Sequence, residues 1–379
     1  MRGNSLWAPL SGVVAGLLSL AGCAESPLVR GPVHPMRGRL QLLDTGGPQG
    51  DTGWWPSAAL DTSGRPHVSY CDARRGDLRY ATRSGAGWVS QAVVSAGAVG
   101  KYTAIAVDSG GRPAIAFYDQ DAQYFSFARP DPAGPWHVER IAWGTEVGMG
   151  AAMRFDLRDL PHVLYYVPSG RFVHAWRDGA GEWHKQAVRP AMAGPSARVA
   201  AVMRPDGLWG TFVDWRMHET AVYLLRPGGA WKQDAGEPLA VEEVSARTGL
   251  GLFSQIVFEG ANPVVFYAHS IKGHIVLARR HPDGWQRQLL LEHVGRFVAA
   301  RHGDGPIFVA YEDTTGTGAG NGSLKLLRRD LTGSWQRYEV DPEGSPGSYL
   351  ALATGDHGRV LLAYYAKAIH GIKIYEEGG

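Results

Sequence analysis

The sequence predicts an all-β protein, a seven-bladed β-propeller of four-stranded antiparallel blades. Three observations carry the prediction. One pattern recurs at a spacing near fifty residues from Ser57 to close to the C-terminus. Successive copies close on a tryptophan: Trp88, Trp136, Trp183, Trp231, Trp285 and Trp335. The strands between are nearly continuous apolar runs, such as Val264-Val265-Phe266-Tyr267, as expected where neighbouring blades cover both sheet faces. Repeats of about 40 to 50 residues, each with four short strands, are the signature of this architecture.

The first copy shows how each element arises. Ala58-Ala59-Leu60-Asp61 is a strand of small and apolar residues suited to the crowded axis. Thr62 to Pro66 is a turn, in which Asp61 can accept backbone N–H groups and Gly64 can take positive φ. Pro66 needs no N–H partner at a strand start. A second strand runs from His67 and ends at Asp72, and a third covers Leu78 to Arg83. Gly85 and Gly87 turn the chain into Trp88 and a last strand, Gln91 to Val94. Later copies repeat the order. The seventh lacks its fourth strand, and Arg39 to Asp44, ahead of the first copy, has the pattern to supply it and close the ring, removing open sheet edges. Six blades with a stray hairpin is the alternative if that strand does not pair with residues 372–375.

The chain begins with Arg2 and an apolar stretch from Leu6 to Leu20, too short for a comfortable membrane span and typical of a secretory signal. Leu20-Ala21-Gly22-Cys23 resembles the lipobox of bacterial lipoproteins. The resemblance implies a signal peptide over 1–22 and lipidation (palmitate) of Cys23. With Ala24 following the cysteine, it also implies sorting to the outer membrane of the cell envelope. Residues 23–37, with Pro27, Pro32 and Pro35, read as the lipidated cysteine and its tether, and 38–379 as one propeller domain. Loss of residues 1–22 removes one arginine and lowers the formal charge from +2 to +1, so there is no electrostatic case for nucleic acid. With Cys23 modified, Cys71 has no disulfide partner and reads as a small buried side chain.

Catalytic signatures are missing: no His-Glu-x-x-His and no Gly-x-Ser-x-Gly occur, and no cofactor is implied. Asp119 and Asp121 have calcium-like spacing without the rest of an EF-hand, so Ca²⁺ stays open there. Candidate ligand-binding residues come from the face that gathers the ends of the second strands: Asp72, Asp119, Asp214, His269 and Asp313. The starts of the innermost strands add Trp55, Tyr102, Arg198, Arg296 and Tyr349. Carboxylates with aromatic rings suit a sugar, while a repeated aspartate also suits a turn cap. On the opposite face, Asp61, Asp108, Asp156, Asp206 and Asp356 are expected to pair with Arg83, Arg129, Arg177, Arg226, Arg279 and Arg328, or else the arginines form a basic rim for phosphates.

The unit Asp-x-x-Gly-x-Pro, apolar strand, Tyr-x-Asp, Leu-x-Tyr-Ala, Gly-x-Trp resembles repeats of secreted bacterial propellers distantly similar to sialidases and related lectins. The nearest forms of the sialidase Asp-box, Asp61-Thr62-Ser63-Gly64 and Asp108-Ser109-Gly110-Gly111, lack its tryptophan. The resemblance therefore implies the fold and not an activity. The expectation is an envelope lipoprotein binding a glycan or a protein partner, with a sialidase-like glycoside hydrolase or lyase as the alternative.

Overall fold

A computed structural model describes residues 28–378, apart from 30, 36, 86, 132–133, 146, 168–170, 190–198, 215–218, 226–231, 234–249, 270–271, 316–321 and 344–345. Among the described residues the strands form seven sheets, six of four strands and one of five, and helix is limited to two short 3₁₀ turns. Blade one comprises Thr52–Leu60, Pro66–Asp72, Asp77–Ser84 and Gly87–Val94, each hydrogen-bonded antiparallel to the next. Its innermost strand packs beside Val99–Val107 of blade two and Pro346–Thr354 of blade seven, which gives a ring.

The ring closes as the sequence predicts. Arg39–Asp44 pairs antiparallel with Gly371–Glu377 and becomes the outer strand of blade seven. This pairing removes the premise of the six-bladed alternative. Asp44 then reaches blade one: Tyr70 donates its hydroxyl to Asp44 Oδ2 at 2.8 Å, and Arg79 Nε lies 3.1 Å from the same oxygen. The blade six–seven boundary repeats the device, with Asp341 accepting from Tyr364 and from Lys373 Nζ at 2.6 Å. The Tyr-x-Asp position is thus a core position; Tyr70, Tyr165, Tyr267, Tyr311 and Tyr364, with Phe117 in blade two, are all buried. The repeated tryptophans also join blades. Trp136 meets Tyr80 edge-on at 5.2 Å, and Trp183 meets Phe127 at 5.3 Å. Buried hydroxyl pairs tie the second strand of one blade to the innermost strand of the next, Ser69 to Thr103 at 2.8 Å and Thr211 to Ser254 at 3.1 Å.

The described part of residues 23–37 is docked on the propeller. Leu28 and Val29 donate N–H groups to Leu289 and Leu290, and Val29 is buried in the core between blades five and six. Val33–His34 adds a parallel fifth strand to blade six beside Trp335–Asp341. The physical reason is that an outer strand exposes an unpaired edge, and an extended, proline-rich segment can cover it. Cys23 and the signal segment 1–22 lie outside the described residues.

On the face that holds the first turns, the expected Asp–Arg pairing takes a mixed form. Asp61 accepts the N–H groups of Ser63 and Arg65 and pairs with the Arg65 side chain at 3.0 Å. Burial opposes its charge, yet these hydrogen bonds hold its carboxyl down at about 2. Asp108 pairs with Arg112 at 2.9 Å and with Arg129. Three further third-strand arginines choose glutamates: Arg83 takes Glu376 across the seam, Arg177 takes Glu139, and Arg279 shares Glu259 with Arg329 of the next blade. Arg226 lies outside the described residues.

Candidate binding site at the channel mouth

The seven innermost strands surround a central cavity of about 430 Å³. Each strand whose start is described carries a register shift there: between Trp54 and Ser57, Lys101 and Ala104, Met149 and Ala152, Leu252 and Gln255, Val294 and Phe297, and Pro346 and Leu350. Aligned on the second-strand partners Ser69, Ala116, Leu164, Thr211, Phe266, Ala310 and Ala363, one repeat position is occupied by Trp55, Tyr102, Gly150, Phe253, Arg296 and Tyr349, and in blade four by Arg198, which lies outside the described residues. The six described residues all line the cavity.

At this position the backbone is left-handed in several blades, with φ of 47° at Trp55, 55° at Tyr102 and 58° at Phe253. Gly150 adopts the same region, at 61°, without a side chain. A bulky residue there is strained by roughly 1–3 kcal/mol, and such strain concentrates at functional sites. The bulge re-aims a side chain that a regular strand would pack into a sheet face.

The outcome is an aromatic cluster. The Trp55 ring lies 5.4 Å from Tyr102 and 5.3 Å from Tyr349. Trp54 lies 5.5 Å from both Trp55 and Tyr349 and 5.6 Å from Tyr365. Trp54, Trp55, Tyr102 and Tyr349 are all half-buried, so ring surface remains open to a ligand. Lys101 Nζ sits over Trp55 at 5.8 Å, and Arg296 over Phe253 at 5.8 Å. A polar group flanks the rings. Trp54 Nε1 and the Tyr365 hydroxyl both donate to Asp51 Oδ1 at 2.8 Å, which leaves Oδ2 as an acceptor. His370 Nδ1 lies 3.2 Å from the Tyr365 hydroxyl, and His370 is exposed. Burial, and then the bond to Asp51, push the Tyr365 phenol above its ordinary pKa, so it stays a neutral donor.

The second-strand residues fare differently. Asp72 is fully buried and accepts from the Arg75 N–H at 3.0 Å and from the Arg75 side chain at 3.2 Å. Asp313, also buried, accepts from Thr315 N and Oγ1 and from Lys325 Nζ at 2.5 Å; burial opposes its ionisation, but these bonds hold its carboxyl low. Asp119 accepts from Ala122 N at 2.9 Å. All three carboxylates receive N–H groups of their own turns, because an aspartate at a strand exit is the natural acceptor for the next free N–H groups. Asp214 and His269 end the second strands of blades four and five. Asp121 likewise accepts from Ala98 N at 3.0 Å. Among the described residues no group of three His, Cys, Asp or Glu side chains is placed to hold a metal.

Sequence reasoning missed Trp54, Phe253, Asp51, Tyr365 and His370. Phe253 was legible by aligning the inner strands, whereas Asp51 and His370 belong to loops without a repeat signal. It also missed Glu312, beside Arg296, the one carboxyl among the described residues that burial leaves above its ordinary pKa.

No family model matches the chain, and no curated protein matches it. Solved structures do. A lectin in complex with α-methyl fucoside, SapL1, is 13% identical, with 77% of this chain and 97% of that one covered and a TM-score of 0.52. The fucose-specific lectin from Aleuria aurantia is 15% identical, with 79% and 98% covered and a TM-score of 0.51. The leech intramolecular trans-sialidase is 11% identical, with 90% and 70% covered and a TM-score of 0.50. At such identities the likeness speaks for the fold alone, the β-propeller already described.

Proposed function

We propose that the protein is a glycan-binding module whose site is the aromatic channel mouth. The observation that carries the reading is the one repeat position that places Trp55, Tyr102, Phe253, Arg296 and Tyr349 around a single opening. Aromatic faces stack on the C–H faces of sugars, and Asp51, Lys101 and His370 supply hydrogen-bonding partners for hydroxyls. The lectin neighbours, one titled fucose-specific and one complexed with a fucoside, make fucosylated glycans the first ligands to test. The lipobox-like Leu20-Ala21-Gly22-Cys23 supports an envelope anchor through Cys23; metabolic palmitate labelling, abolished by Cys23→Ser, tests that part separately.

The test of the site is a glycan array with the full chain and with Trp54→Ala and Trp55→Ala variants. Binding to one sugar class, weakened at least about tenfold by each substitution at unchanged thermal stability, supports the reading. Binding that both variants retain would overturn it. The alternative, a sialidase-like hydrolase, has the likeness to the leech enzyme in its favour. Against it stand a tyrosine held neutral and, among the described residues, a single raised carboxyl, where glycoside hydrolysis needs a matched pair or an activated nucleophile. Turnover of a bound sugar would decide for the hydrolase.

A further inference from the structure

On the opposite face, between blades seven and one, lies a second cavity of about 320 Å³. Its walls hold Arg39, Arg83 and Arg359 with Glu376, over an apolar floor that includes Leu60 and Leu361. We propose that this seam pocket binds a phosphate group, either free or at the end of a lipid headgroup.

The charges do not balance within the protein. Glu376 is matched by Arg83, whose Nε and Nη2 reach its two oxygens at 3.2 and 2.5 Å. Its remaining capacity goes to Gln41 Nε2 at 2.9 Å. Arg39 stands opposite Glu376 in strand register and so shares its sheet face, yet it has no ion pair among the described residues. Arg359 donates Nη1 to the Gly64 carbonyl oxygen at 2.8 Å, a neutral acceptor that fixes the guanidinium without compensating its charge. Three cations against one anion leave the pocket near +2. Guanidinium forks match the oxygens of a phosphate, and two uncompensated forks on different walls suit a dianion better than a carboxylate. The volume exceeds that of a phosphate ion and admits a small ester substituent.

The three arginines belong to segments that meet only when the ring closes: the N-terminal strand, the third strand of blade one and the turn before Val360–Ala366. A bound phosphate would therefore brace the seam. This pocket is independent of the channel mouth.

The test is calorimetric titration of the full chain with inorganic phosphate at low ionic strength, with chloride as the control anion. The wild type should bind. Arg39→Gln should weaken binding severalfold with no loss of thermal stability, and Arg39→Gln with Arg359→Gln by about tenfold or more. Trp55→Ala should leave phosphate binding unchanged, which separates failure here from failure at the mouth. No binding by the wild type at tens of millimolar, or equal binding by the Arg39→Gln and double variants, would overturn the proposal. Capture by phosphatidic acid vesicles but not phosphatidylcholine vesicles, competed by phosphate, supports it with a lipid source. Phosphate binding without capture supports it with a soluble one.

Discussion

Substituting Asp44 by alanine should open the ring at its seam. Asp44 and Arg79 are only 18% and 16% exposed in their side chains, so their interaction is weakly screened. Three contacts disappear: Tyr70 hydroxyl to Oδ2 at 2.8 Å, Arg79 to the same oxygen at 3.1 Å, and the Gly46 N–H to Oδ1 at 2.8 Å. Ser90 Oγ keeps Tyr70 and Arg79 partly satisfied, at 2.6 Å and at 2.9 and 3.2 Å. A hydrogen bond to a charged acceptor contributes about 1.5–3 kcal/mol, and stranding a half-buried cation costs more, so with Ser90 as compensation the loss should be about 2–4 kcal/mol. Urea unfolding reads the sum, and hydrogen exchange reads the place: the amides of Arg39–Asp44 and Gly371–Glu377 should lose protection before those of blades two and three. Adding Arg79→Met should recover part of the loss, because the uncompensated cation goes with it. A loss below about 0.5 kcal/mol, or exchange unchanged in Arg39–Asp44, would refute the view that this strand is the latch.

Two further expectations follow from buried titratable groups. Burial, helped by its neighbour His162, holds the His174 imidazole down at about 3, whereas in the unfolded chain it titrates near 6.5. The stability linked to it is thus fully present above pH 6.5 and falls as the pH drops from 6.5 toward 3, by up to about 1.4 kcal/mol per pH unit. Urea midpoints across that window should show the slope, and His174→Phe, which keeps the ring stacked between His162 and Trp176, should flatten it; an unchanged slope would count against the assignment. Burial first, and Asp72 next, push the Cys71 thiol up to about 12, so iodoacetamide should modify it only after unfolding. Stoichiometric labelling of Cys71 in the native chain within minutes would contradict this.

What was legible in the sequence was whatever every blade must do alike. The Gly-x-Trp tryptophans, the Tyr-x-Asp tyrosines and the turn aspartates repeat because each performs one structural task in blade after blade, packing on the preceding blade, filling the core or receiving turn amides. Repetition at Asp72 and Asp313 therefore goes with a turn cap. The mouth follows the opposite logic. Its repeat position is fixed by the bulge, but the side chain there changes from Trp55 to Tyr102 to Gly150 to Arg296. A repeated frame that carries a different, strained side chain from blade to blade is the pattern on which the proposed binding role rests. Asp51, Tyr365 and His370 escaped the reading since they meet only through ring closure, which joins the first blade to the last. By the same token the seam pocket depends on residues as distant in sequence as Arg39 and Arg359, which no periodicity could bring together. In a closed ring, the blade boundary that unites the two ends of the chain is the one place where sequence spacing carries no information about proximity. The best-supported parts of both candidate sites of this protein lie on that boundary.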